Sequence, residues 1–356
     1  MSHMFVPGPV DVDQDVLEAQ TKPMIPHRSA EFETIFRGTE AKLKKVFLTE
    51  NRVFQPPSSG TGMQEAGIRN LVQKDVLSCV NGAFAERWYQ VAVTNGKQAD
   101  RLEAEWGDII SPDKLADALK AKKYEAVTIV HNETSTGVEN PIKELAAVVH
   151  EVSPDTLILV DAVSSLAGAK IETDAWGLDF VLTSSQKALA LPPGMSFAAV
   201  TDRCLERAEK VENRGWYFDL LRMEKHRIKN STAMTPSMSL IWALDVELDK
   251  ILAEGLENRF ARHQAMAERV QTWAVEHGME PLAPQGYRSK TVSTIKNLRG
   301  VDIAALNEFL LTKGMRLSNG YGDLKNKTFR IAHMGETKMH HVDELLEAFE
   351  AFMEKM

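Results

Sequence analysis

Between about residues 59 and 200, stretches that are apolar at every third or fourth position alternate with short runs that are apolar at almost every position. The first kind predicts helices over 62–74, 85–91, 112–120 and 141–152. The second predicts strands over 126–130, 156–160, 180–183 and 197–200. A strand that is apolar on both faces belongs in a parallel sheet covered by helices on both sides, and the strand–helix alternation argues for a doubly wound α/β domain. A long helical stretch follows over roughly 237–276. The last part of the chain changes character: strand 291–296, helix 302–313, strands 314–318 and 328–332, and a C-terminal helix over 342–355. This reads as a smaller α+β unit. The division that results is an N-terminal arm (1–18) opened by Val6-Pro7-Gly8-Pro9, a large α/β domain (19–255) and a small domain (256–356). Two lobes leave a cleft between them, the usual place for a small-molecule site.

The bulk properties narrow the function. A chain of 356 residues with a net charge of −8 offers nothing to nucleic acid or to an anionic membrane surface. Cys79 and Cys204 form neither a CxxC pair nor a metal spacing, and His340-His341 reads as a solvated helix start, so no metal site is expected. With no apolar run long enough to span a bilayer and no basic-plus-apolar leader, a cytoplasmic protein is expected.

Five segments carry candidate chemistry. Ser184-Ser185-Gln186-Lys187-Ala188 follows a buried strand; an amine there is desolvated and becomes a nucleophile toward an aldehyde, although a lysine in such a place also fits a solvated loop. Asp161 ends the aliphatic run 157–160, at the carboxyl edge where doubly wound sheets bind ligands; it suits a protonated ring nitrogen and equally a cap on the next turn. Ser58-Ser59-Gly60-Thr61-Gly62-Met63 leads into a helix and could offer backbone amides to a phosphate, yet it matches no Walker or dinucleotide fingerprint. His131–Val138, with Thr134 in it, is a polar turn after a strand. Arg330 lies in an apolar strand, where a guanidinium wants a carboxylate or phosphate, or an internal salt bridge. Phe84 offers an aromatic face or a core side chain.

The order of these segments resembles fold-type I, class V pyridoxal-phosphate (PLP) aminotransferases, in particular the serine/alanine–glyoxylate group. The resemblance runs from Pro7-Gly8-Pro9 to Phe329-Arg330-Ile331, and its most specific parts are 131–138, 160–165 and 185–194. It implies that Lys187 holds PLP as a Schiff base and shuttles a proton, and that Asp161 pairs with the pyridinium. It further implies that Val163 and Phe84 cover the two ring faces and that Thr134, Gln186 and Ser184 hydrogen-bond around hydroxyl and phosphate. Thr61, Gly62 and Met63 would cradle the phosphate, and Gly8 and Arg330 would meet the substrate. A homodimer with shared active sites, the arm lying on the partner, is implied as well. Two departures stand out. Phe84 occupies a position that is usually tryptophan, and Lys229–Pro236 replaces a Tyr-His-His-Thr run, which leaves Thr235 as the nominee for reaching the partner's phosphate. The expected activity is ping-pong transfer of an amino group from serine or alanine to glyoxylate or pyruvate. Alternatives are an aminoethylphosphonate transaminase on the same fold and a non-catalytic subunit. A nicotinamide dehydrogenase is disfavoured, because no glycine-rich turn is followed by a suitably spaced acid.

Overall fold

The computed structural model describes residues 3–355 and builds two large sheets with separate cores, besides a two-stranded ribbon of Asn132–Glu133 and Val138–Glu139. The larger has seven strands in the order Arg52–Phe54, Ser196–Val200, Phe180–Ser184, Leu157–Asp161, Ala126–Val130, Asp75–Val80, Gln98–Glu103. The five from Phe180–Ser184 to Gln98–Glu103 run parallel. Their side chains alternate between the two layers of helices. Ile158 and Val160 join one core cluster while Leu157 and Leu159 join the other, and Val181 is divided in the same way from Phe180 and Leu182. This period of two, apolar on both faces, is what a doubly covered sheet requires. Each fully buried aliphatic side chain contributes about 1.5–3 kcal/mol, so the strands that are apolar throughout occupy the centre.

Ser196–Val200 differs from the parallel arrangement expected of it: it runs antiparallel to Phe180–Ser184. The connection explains this. Residues 185–195 return over the carboxyl edge without a crossover helix, and a parallel neighbour needs such a crossover. Gln98–Glu103, at the opposite edge, is largely exposed and polar, so its strand character has no hydrophobic signature; charge on an edge strand discourages pairing with other chains.

The smaller sheet has the order His3–Phe5, Met315–Asn319, Thr328–Ala332, Val292–Lys296, Glu280–Pro281. The arm is therefore not free to lie wholly on another subunit. His3–Phe5 pairs in parallel with Met315–Leu317 of its own chain, Phe5 is buried in that sheet's core, and the helix Gln14–Ala19 packs on Met238–Glu254. The helical stretch expected over 237–276 is two helices, Met238–Glu254 and Leu256–Glu276. They are broken at Gly255, whose φ of 81° is left-handed and favours glycine. The helix Ala30–Phe47, which no expectation covered, buries Phe32, Phe36, Leu43, Val46 and Phe47 against the large core.

Candidate active site

The carboxyl ends of four parallel strands converge on one cavity of about 250 Å³, lined among others by Thr61, Gln64, Phe84, Asn132, Thr134, Asp161, Val163, Ser184, Gln186 and Lys187. Each strand contributes its last residue or the turn just after it. Asp161 terminates Leu157–Asp161, and Ser184 terminates Phe180–Ser184, with Lys187 three residues on. Asn132 and Thr134 follow Ala126–Val130, and Phe84 opens the helix after Asp75–Val80.

Asp161 is buried. Its Oδ1 accepts the Val163 N–H at 2.8 Å and its Oδ2 accepts Gln64 Nε2 at 2.7 Å. Burial is the dominant influence and pushes its carboxyl up to about 6, against the pull of those two donors. Lys187 is lowered to about 8, by burial first and by the Arg330 charge second. The amine is thus within reach of its neutral, nucleophilic form near neutral pH. Its Nζ donates to the carbonyl of Pro7. The adjoining Gly8 has a φ of 105°, and a Cβ there would lie 2.8 Å from Lys187 Nζ; glycine is needed for the arm to cross the amine so closely.

The helix Gly60–Leu71 points its N-terminus at the same cavity. Ser59 is the N-cap, and its Oγ accepts the Gly62 N–H. The Met63 N–H is spent on the Ser59 carbonyl, and the Met63 side chain is buried in the core. This differs from the cradle of Thr61, Gly62 and Met63 that the resemblance implies. The Gly62 and Met63 N–H groups both turn to Ser59, and the amides without a partner among the described residues are those of Gly60 and Thr61, with the Ser59 hydroxyl beside them. The helix begins two residues earlier than its hydrophobic period suggests, and the serine cap, not the glycines, sets the register. A Cβ on Gly60 would come within 2.6 Å of Val163 Cγ2, so the turn lies directly against the valine side chain.

Thr134 donates to Ser164 Oγ at 2.8 Å, and Ser164 in turn donates to the Asn132 carbonyl at 3.0 Å, which ties the polar turn to the segment after Asp161. Phe84 is half-buried, its ring 5.6 Å from that of Tyr321. Arg330 is buried in Thr328–Ala332 and uses Nε to bind the Asn319 carbonyl at 3.1 Å. Neither Arg330 nor Gly8 lines the cavity, but Gly8 adjoins the Lys187 side chain and the Arg330 charge is felt by its amine. Thr235 is not brought to the cavity; it is exposed elsewhere on the surface.

Four contributors escaped the sequence reading. Gln64 and Arg87 lie on helices whose periodicity marks them only as polar positions, and Tyr321 lies in an irregular segment. Glu133 is the fourth. It is fully buried, accepts the N–H groups of Phe84, Ala85 and Ser135 and the Ser135 hydroxyl, and so caps the helix Ala83–Thr94 in place of its N-cap Gly82. Burial pushes its carboxyl up. Glu133→Ala strands several buried donors and is expected to lower unfolding stability by about 2–4 kcal/mol in urea titrations. A loss within experimental error would refute this capping role.

The donor set fits PLP. Three buried polar atoms around the cavity, Ser184 Oγ, Asn132 Oδ1 and Gln64 Oε1, have no hydrogen-bond partner among the described residues. They join a desolvated amine, a buried carboxylate and a helix N-terminus that is open to an anion. The Aminotransferase class-V family matches residues 15–322, and the chain belongs to that family of PLP-dependent transaminases. Its cofactor is pyridoxal 5′-phosphate. It is 39% identical to an uncharacterized aminotransferase of Methanocaldococcus jannaschii, over 93% of this chain and 87% of that protein. It is 33% identical to an L-aspartate–glyoxylate aminotransferase of Paracoccus denitrificans, over 93% and 86% respectively. The crystal structure of an alanine–glyoxylate aminotransferase from Nostoc sp. superposes with a TM-score of 0.93 at 30% identity, covering 99% of this chain and 95% of that one.

Proposed function

We propose that this transaminase moves an amino group from a small neutral amino acid, serine or alanine, to glyoxylate or pyruvate in a ping-pong cycle. The observation that carries this reading is the cavity itself. The cavity is small, about 250 Å³, and among the described residues Lys187 and Arg87 are the cations that line it. Arg330, beside Lys187, is then left for the one carboxylate common to all these substrates.

PLP, when bound, supplies the electron sink that stabilises a carbanion at the substrate Cα. The chain's residues do the rest. Asp161 keeps a negative charge against the ring nitrogen; at pH 7 a carboxyl titrating at about 6 is about tenfold more ionised than protonated. Lys187 carries the cofactor and, once displaced, takes the proton from Cα. Arg330 fixes the carboxylate, which orients the Cα–H bond relative to the ring. Val163 and Phe84 cover the ring faces. Thr134, Gln186 and Ser184 hold its polar rim, and Ser59, Gly60 and Thr61 hold the phosphate. Gly8 borders the substrate.

A homodimer with shared active sites belongs to the same reading. Exposed Trp216, Tyr217 and Ile228 give the segment around Thr235 an apolar surface suited to a second copy, whose phosphate Thr235 would then reach. The division into 1–18, 19–255 and 256–356 is proposed likewise, with the amendment that the first strand of the arm completes the small sheet. No helix among the described residues is long and apolar enough to cross a membrane, which is compatible with the proposed cytoplasmic location.

The test is a donor–acceptor matrix: serine, alanine, aspartate and glutamate against glyoxylate, pyruvate and 2-oxoglutarate. Serine or alanine with glyoxylate or pyruvate is expected to give the highest kcat/KM. A preference for aspartate or glutamate by tenfold or more would overturn the substrate assignment.

A further inference from the structure

The phosphate end of the cavity has an unbalanced charge. A phosphate monoester brings about −1.5 to −2 charges at neutral pH. The helix N-terminus at Gly60 supplies roughly half a positive charge. The hydroxyls of Ser59, Thr61 and Ser184 are neutral. Lys187 is committed to the cofactor's carbonyl carbon in the reading above, and Arg330 does not line the cavity. One cation among the lining residues remains, Arg87.

Arg87 lies one turn beyond Phe84 on the helix Ala83–Thr94, and its guanidinium lies over the Phe84 ring with Cζ 4.9 Å from the centroid. This stacking aims the guanidinium toward the start of the Gly60 helix, where Nη1 is 3.4 Å from Thr61 Oγ1. The preceding residue, Glu86, pairs with Arg101 of the edge strand Gln98–Glu103, whereas Arg87 pairs with no carboxylate among the described residues. An arginine with a preset direction, an aromatic platform and no acidic partner among the described residues, within reach of the Thr61 hydroxyl at the helix start, is arranged for an external oxyanion.

We propose that Arg87 is a phosphate-binding residue of the cofactor site: it gives the cofactor's phosphate its one full side-chain charge and so makes this chain select the phosphorylated vitamer over pyridoxal. The proposal rests on the PLP reading of the cavity and adds a residue to it.

The experiment strips the cofactor and titrates the apo-protein with PLP and, separately, with pyridoxal, following the visible absorbance of the lysine-linked cofactor. Wild type, Arg87→Ala, Arg87→Gln and Arg87→Lys are compared, with circular dichroism to confirm the fold. Removing one charge-assisted hydrogen bond to a phosphate is expected to weaken PLP binding by roughly ten- to a hundredfold. Pyridoxal binding should stay within about threefold of wild type, and Arg87→Lys should fall in between. Equal weakening of both vitamers would assign Arg87 to ring packing and overturn the proposal. Unchanged PLP affinity with a raised KM for the amino acid would assign it to the substrate and also overturn it. Should Arg87→Ala not fold, Arg87→Gln and Arg87→Lys carry the same comparison. Failure of the wild type itself to take up PLP would instead sink the underlying reading of the cavity.

Discussion

Lys187→Ala is expected to reduce kcat/KM by roughly 10³- to 10⁴-fold, the upper part of the range for a positioned proton-transfer group. It should also abolish the visible absorbance of lysine-linked cofactor while leaving the fold intact. The structural reason is specific to this amine. Lys187 follows a buried strand, and its ordinary preference for water is countered by burial and by the nearby charge of Arg330, which together bring it down to about 8. Among the described residues no other amine lines the cavity to take its place. Removing the side chain opens space beneath Gly8 instead of stranding a buried donor, so the stability cost is small and the catalytic loss is cleanly read. An Ala variant within tenfold of wild type would contradict the role given to this residue.

The second large effect is expected at Asp161. Asp161→Ala removes the buried carboxylate that faces the ring nitrogen and leaves Gln64 and the Val163 amide without their acceptor. Truncating one partner of a buried charge pair costs about 2–5 kcal/mol, which corresponds here to roughly 30- to 5,000-fold in kcat. Asp161→Asn preserves shape and an acceptor for the Val163 N–H, so it separates packing from charge. If charge is what matters, Asn loses nearly as much kcat as Ala while keeping far more stability. An Asn variant with wild-type kcat would show that the ring needs no anion at this position. The acidic shoulder follows with its sign. Asp161 titrates near 6 in the cofactor-free protein, so cofactor affinity should decline as pH falls through that value and the carboxylate is lost, and this component should be missing in Asp161→Asn.

How much of this was legible in the chain follows from which residues announce themselves. Asp161, Ser184 and Lys187 stand where a wholly apolar run stops at a polar residue, and in a parallel sheet that boundary is the ligand edge. Arg330 is conspicuous as a cation inside an apolar strand. Gln64 and Arg87 are polar residues on amphipathic helices, a pattern that ordinarily marks a solvated face; only the packing of the two helices turns them toward the cavity. Glu133 was visible as part of a polar turn, but its role as a cap for a helix fifty residues earlier is purely tertiary. The Gly60 helix starts two residues before its hydrophobic period does, because its first turn is glycine and threonine, which carry no such period. Gln98–Glu103 and His3–Phe5 are strands by their neighbours alone, short or polar segments completed by backbone pairing. Gly255 could have been read as a break, yet apolar periodicity continues on both sides of it.

The central claim is that one lysine, at the carboxyl edge of the large sheet, holds the cofactor. Borohydride reduction of the PLP-loaded protein fixes that link irreversibly, and peptide mapping by mass spectrometry then locates it. The expected result is a single phosphopyridoxyl group on the peptide containing Lys187. A group found on any other lysine, or none on a protein that demonstrably binds PLP, would contradict it.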